Sequence, residues 1–222
     1  MFSVARAQTH RTKAKSVAPR RTRLDGDARR AQLVALGLEH FGDRSYDEVS
    51  LEDIARAAGI SKGLVYHYFP TKKHYFVATV REAADRLVAR ALADEDGPPP
   101  LRLLRGLDAY LDYVRAHARA YVTLMRSGGL DPELSAIVDE TRQLFLERIT
   151  SGLRDAPEPE IARQREAPLM RLALRGWCGM VETMSVEWVA GGCITPQAQV
   201  RDVLVSSLVE VLRAATAPAL GA

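Results

Sequence analysis

Between positions 50 and 73 the chain gathers side chains that donate hydrogen bonds or carry positive charge: Ser50, Ser61, Lys62, Tyr66, His67, Lys72 and Lys73, with Gly63 and Leu64 among them. Such a set suits a polyanion. Lysines neutralise phosphate or reach guanine, hydroxyls and imidazoles donate to phosphate oxygens, glycine admits a close backbone, and an outward leucine meets a thymine methyl. Bland readings stand beside these: Ser61 serves equally as a helix cap, Leu64 suits a core as well as a contact, and Tyr68 and Phe69 read as core. A second group consists of apolar and aromatic stripes at helical spacing, with Tyr110, Tyr113, His117, Tyr121 and Met125 in one, Phe145 in another, and Trp177, Met180, Val181 and Met184 in a third. Singly these are core residues. Together they supply the walls of a cavity for a bulky apolar molecule, with Tyr110, Tyr113, His117, Arg126 and Trp177 as polar anchors.

Catalytic chemistry finds little footing. There are no paired carboxylates in a helix-borne metal motif, no glycine-rich phosphate loop after a strand and no nucleophile elbow, so neither an enzyme nor a metal or cofactor site is expected. Cys178 and Cys193 are too few for a disulfide framework. No apolar run approaches the roughly 20 residues of a membrane span, which leads us to expect a cytoplasmic protein without membrane contact. A hydrophobic fraction of 47% with 27% charged residues suits a globular chain, and 222 residues suit a small domain joined to a larger one. The net charge of +3 conceals an asymmetry. Residues 1–24 carry seven basic side chains and no acid, leaving 24 basic against 28 acidic residues, a net −4, in the remainder. The tail is a candidate polyanion binder or a solvated, silent segment.

Helices must position these groups. The expected organisation is a disordered basic tail (1–26), a helix-turn-helix domain (27–75) and a larger helical domain (76–222), all-α with about nine helices. Leu33, Val34, Leu38 and Phe41 recur at three- and four-residue steps after Asp27, the expected N-cap of the first helix. Ser50, with Asp53 as the acidic member of a capping box, opens a short helix that stops at Gly59. Ser61 opens another that stops by Pro70, and Thr71 caps a long helix running to about Ala93. Further helices are expected at 101–118, 120–127, 132–154, 163–190 and 197–215. Strict alternation marking strands is absent.

Residues 33–76 closely resemble the DNA-binding domain of the TetR family of bacterial regulators. The resemblance rests on Leu33, Phe41, Tyr46, Ser50, Asp53, Ile54, Ala55, Ala58, Gly59, Ile60, Ser61, Gly63, Tyr66, Phe69 and Lys72 in the family's spacing. It implies a homodimer on palindromic double-stranded DNA, with contacts carried by Ser50, Ser61, Lys62, Gly63, Leu64, Tyr66, His67 and Lys72. It also implies an apolar small-molecule effector that releases the operator, and a dimer interface formed by the last two helices. On the last of these, Val200, Val203, Leu204, Ser207, Leu208, Val211 and Leu212 share a face, which an intrachain core explains equally well. The chain departs from the family at Ser45, where a glycine is usual, at Tyr68, where histidine is common, and at Lys73, where an acid is common. Lys73 is expected to add phosphate attraction.

Overall fold

The computed structural model describes residues 25–93, 96–127 and 131–217; the basic tail over 1–24 lies outside them. Among the described residues there are ten α-helices and no strand. Helix α1 (Gly26–Asp43) starts two residues before the expected site, because Asp25 rather than Asp27 accepts the Ala28 amide at 2.8 Å. Helices α2 (Leu51–Ala58) and α3 (Lys62–Tyr68) are capped by Ser50 and Ser61, and α4 (Lys72–Ala91) by Thr71. Between α2 and α3 the chain turns at Gly59, whose φ of 65° is open to glycine at no steric cost.

Helices α1 to α3 and the first turns of α4 enclose one apolar core built on Leu33, Phe41, Val49, Ile54, Val65, Phe69 and Tyr75. Helix α4 locks against α1 at Gly37, where a Cβ would overlap the Thr79 hydroxyl. There the buried Tyr75 hydroxyl donates to the Leu33 carbonyl at 2.6 Å. Burial pushes the Tyr75 phenol well above its ordinary pKa, so it remains a neutral donor.

The second core lies in the body. It unites the far end of α4 (Leu87, Ala91) with α5 (Pro99–Ala116), α6 (Ala118–Ser127), α7 (Pro132–Gly152), α8 (Pro159–Gln164), α9 (Pro168–Ala190) and α10 (Gln197–Thr216). Helix α4 thus belongs to both cores. The single helix expected over 163–190 is two: Pro168 occupies the first turn of α9 and holds Ala167 extended, separating it from the short α8. Helix α5 likewise begins on prolines, at Pro99 rather than 101.

The α10 stripe resolves toward its own chain. Val200, Leu204, Leu208 and Leu212 are buried in the body core, and Ser207 accepts the Trp177 indole N–H at 3.1 Å. These residues form intrachain core instead of a free face, whereas Val203 on the same helix is exposed.

Candidate functional site

The exposed face of α3 is built from its cap outward. Ser61 Oγ accepts the Leu64 amide at 3.2 Å, fixing the start of the helix. Val65 then points into the head core, while Lys62, Gly63, Tyr66 and His67 stand on the solvent side and Leu64 is half-buried between. The His67 ring meets Tyr68 edge-on, with centroids 5.4 Å apart. Tyr68 itself rests on the head core and Phe69 lies within it. Space around Gly63 is open, so a surface can approach its backbone.

Electrostatics complicate the picture drawn from sequence. Lys62 hydrogen-bonds and pairs with Glu52 of α2, an interaction that raises the lysine pKa and lowers that of the carboxylate. Ser50 caps α2 through the Glu52 amide at 3.1 Å. Asp53, expected to complete the capping box, is held instead by Arg56 at 2.7 Å and faces Arg44 at 3.8 Å. Lys72 is tied inward: its ammonium donates to the Asp47 carbonyl at 3.2 Å and sits 4.6 Å from the centre of the Tyr46 ring. Lys73 is not a spare cation either. It bridges to Asp131 and Glu133 at the start of α7, each at 3.0 Å, so its charge joins head to body. The sequence could not show this, since the partners lie far along the chain. Ser45 is unstrained: its amide and hydroxyl both bond to Glu48 Oε2, at 2.8 and 2.9 Å.

A second head-to-body tie was not anticipated. Arg119 of α6 donates to the Asp43 carbonyl at 2.6 Å and faces Glu48 at 3.6 Å, clasping the end of α1 and the turn after it. Arg81 of α4 pairs with Glu140 of α7, and the Tyr113 hydroxyl of α5 donates to the Ala83 carbonyl of α4 at 2.9 Å.

The body holds a cavity of about 390 Å³. Of the residues expected around it, Tyr110, Tyr113, His117, Tyr121, Met125, Phe145, Trp177 and Val181 line it. Met180 and Met184 pack against the body core away from the lining, because the face of α9 that lines it is centred on Cys178, Val181 and Glu182, about 100° or more round the helix from theirs. Sequence reading missed the walls from α4 (Phe76, Val80, Ala83, Leu87) and α7 (Ile137, Thr141). The apolar three- and four-residue steps in α4 were the available signal.

Few of the expected polar anchors are free to anchor. The Trp177 indole N–H is spent on the Leu204 carbonyl at 3.0 Å as well as on Ser207, and His117 Nδ1 lies 2.8 Å from the Tyr113 carbonyl. Arg126 lies outside the cavity, in an adjoining groove, facing Glu187 at 3.4 Å. What remains inside is the Tyr110 and Tyr121 hydroxyl pair, 2.5 Å apart, and the bidentate Arg142–Glu182 pair at 2.9 and 2.8 Å. Burial pushes the Tyr110 phenol up to about 12, so both phenols of the pair remain protonated. One hydroxyl donates to the other, leaving the acceptor's own proton for a third group. Cys178 also lines the cavity, with its thiol pushed up to about 11 by burial, which makes it a poor nucleophile.

A helix-turn-helix head carried on a separate all-helical body defines the class of protein. Residues 33–79 match the family described as bacterial regulatory proteins of the tetR family, and residues 99–211 match the tetracyclin repressor-like C-terminal domain. The crystal structure of a tetR-family transcriptional regulator from Streptomyces coelicolor superposes with a TM-score of 0.75 at 34% identity, covering 86% of this chain and 83% of that one. The chain therefore belongs to the TetR family of transcriptional regulators, which are DNA-binding proteins and not enzymes. It is 29% identical over 122 residues to the HTH-type transcriptional activator FasR of Mycolicibacterium smegmatis and 26% identical over 144 residues to the HTH-type transcriptional regulator RutR of Escherichia coli. The aligned stretches span 56% of the first relative and 68% of the second.

Proposed function

We propose that the protein is a homodimeric repressor that holds a palindromic operator through α3 and releases it when a largely apolar effector fills the body cavity. The observation that carries this reading is the face of α3: a firmly capped helix whose buried side fixes it in the head core and whose outer side offers Lys62, Gly63, Tyr66 and His67 to solvent. In a helix-turn-helix the second helix enters the major groove by its N-terminal end, which is where Ser61, Lys62 and Gly63 stand. Ser50 sits at the N-terminus of α2 as the second backbone contact. Lys72 and Lys73 contribute long-range attraction rather than dedicated phosphate contacts, because Lys72 is held by the Asp47 carbonyl and Lys73 by two acids.

What the chain leaves uncovered supports a dimer surface on α9 and α10. On α9, Leu169 and Leu172 are 56% and 69% exposed, and Gly176 and Gly179 in register with them have open space where a Cβ would be. Val203 on α10 is 50% exposed. Small residues flanked by uncovered leucines suit close helix packing, so a second copy covering these faces forms a four-helix interface. Release then requires that the effector favour a dimer whose α3 helices no longer sit about 34 Å apart. The ties at Lys73, Arg119 and Tyr113 couple body to head. The repressor sense rests on the family description of the body as tetracyclin repressor-like.

The test is binding of the purified protein to DNA upstream of its own and neighbouring genes, titrated with salt, for the wild type and for Lys62→Ala with Tyr66→Ala. Site-selective binding lost in the double variant, and expression of a reporter rising when the gene is deleted, support the proposal. Weak, sequence-indifferent binding that ignores both substitutions overturns it.

A further inference from the structure

The body cavity has a neighbour. A groove of about 470 Å³ runs between α6, α7 and α9 on the other side of one wall, with Arg126, Asp139, Thr183 and Glu187 exposed along it. Leu124, Met125, Val138, Arg142 and Glu182 line both the groove and the cavity. The partition between them is therefore one side chain thick. Its polar part is the Arg142–Glu182 pair, which joins α7 to α9 through two hydrogen bonds of 2.9 and 2.8 Å. The two side chains keep 18% and 21% of their exposure, so each shows one side to the groove and the other to the cavity. Beside them stands Met125, an unbranched side chain that adapts readily to a changing gap.

An ion pair set in an apolar wall adds little net stability, because desolvation offsets most of its attraction, and parting it is costly when a charge is left stranded. Here neither charge is stranded by moving outward. Arg142 already meets Asp139, one turn back on α7, at 2.5 Å, and Asp139 is exposed in the groove and shared with Arg175 at 3.2 Å. On the opposite bank Arg126 faces Glu187 at 3.4 Å, so a carboxylate turned out from Glu182 enters a groove that already holds a guanidinium. We infer that the Arg142–Glu182 pair is a gate, and that the α6–α7–α9 groove is the route by which small molecules reach the cavity. The inference rests on the proposed role of the cavity as the effector site and adds its point of entry. Opening exchanges ionic partners across the groove while the helix backbones stay in place. Such a gate sets rates: a barrier on the route acts on entry and exit alike.

The experiment uses the full chain and the neutral apolar dye phenylnaphthylamine, mixed by stopped flow and read by energy transfer from Trp177, which lines the cavity. Glu182→Gln removes the charge from the gate at nearly constant shape, and entry is expected to quicken by at least about tenfold, with exit quickening too. Thr183→Tyr narrows the groove from its exposed rim, outside the cavity lining. It is expected to slow entry and exit together by at least about tenfold and to leave the equilibrium affinity within about threefold. Rates that ignore both substitutions place the entrance elsewhere and overturn the inference. A Thr183→Tyr effect confined to exit overturns it too, since that marks a contact and not a route, and so does a dye excluded from the wild type and from Glu182→Gln alike. The opposed directions of the two variants keep the result apart from misfolding, which would weaken binding in both. The gate and the effector role also fail separately. Gated entry of a dye that leaves operator affinity unchanged counts against the effector switch alone, whereas operator release by a dye whose entry ignores both substitutions rejects the gate alone.

Discussion

At the scale of residues, the proposed reading of DNA by α3 makes the Lys62–Glu52 pair the control on how readily that face engages a phosphate. Glu52 neutralises a cation that must exchange its partner for a phosphate, so Glu52→Gln is expected to raise DNA affinity by about threefold at low salt. Fluorescence anisotropy measures this, and an unchanged affinity would mean that Lys62 stays clear of the backbone. Lys62→Ala should reduce the slope of log affinity against log salt by about 0.9 per half-site. In the head core, Tyr75→Phe removes the bond to Leu33 and should cost about 1 kcal/mol, seen as a fall of roughly 3 °C in thermal midpoint with the helical content preserved. These local features were partly legible. Serine and threonine caps at 50, 61 and 71 follow from chemistry within four residues and all three occur. The partners of Lys62, Lys72 and Lys73 do not, because each is brought near by the fold and not by the sequence.

At the scale of elements, α4 does most to join the two halves, with Tyr75 in one core and Leu87 and Ala91 in the other. Severing its tie to α7 by Lys73→Ala, or the α6 clasp by Arg119→Ala, should leave effector affinity within about twofold while shrinking the effector's influence on DNA binding below about fivefold, the lower edge of ordinary allosteric coupling. Operator titrations with and without effector measure this; undiminished coupling in both variants would place the transmission elsewhere. Helix α9 carries a pH dependence of known sign. Burial raises the Cys178 thiol to about 11 from an ordinary value near 9, and raises Tyr110 of α5 from 10 to about 12. The folded state therefore holds protons that the unfolded chain loses. This contribution is full below pH 9 and is lost as pH climbs to about 11 and 12, so thermal stability should fall across that range, and less steeply for Cys178→Ala. Helix existence was legible from apolar period. The split at Pro168 was missed because the apolar pattern continues on both sides of a residue that starts a helix as readily as it ends one.

At the scale of the whole molecule, the proposed function requires two faces of two copies to act together. Leu172→Arg places a charge on the uncovered α9 face and should give a monomer by sedimentation, with operator affinity lowered by at least about 100-fold as the second half-site contact becomes bimolecular. A dimer that persists would move the interface off this face. The all-helical architecture and the head were evident from sequence because capping, periodicity and a dense motif agreed there. The body was legible only as stripes: the same apolar spacing describes a wall, a core and an interface, and only packing distinguishes them. Thus Val200, Leu204, Leu208 and Leu212 proved to be core, Tyr110 and Phe145 wall, and Leu172 uncovered surface. The central claim is that α3 reads DNA as one of a symmetric pair. Hydroxyl-radical footprinting on the upstream DNA tests it most directly. The account predicts two protected patches related by a dyad, their centres about 10 base pairs or a multiple apart, both lost in the Lys62→Ala, Tyr66→Ala variant. A single asymmetric patch, or protection that survives those substitutions, would contradict it.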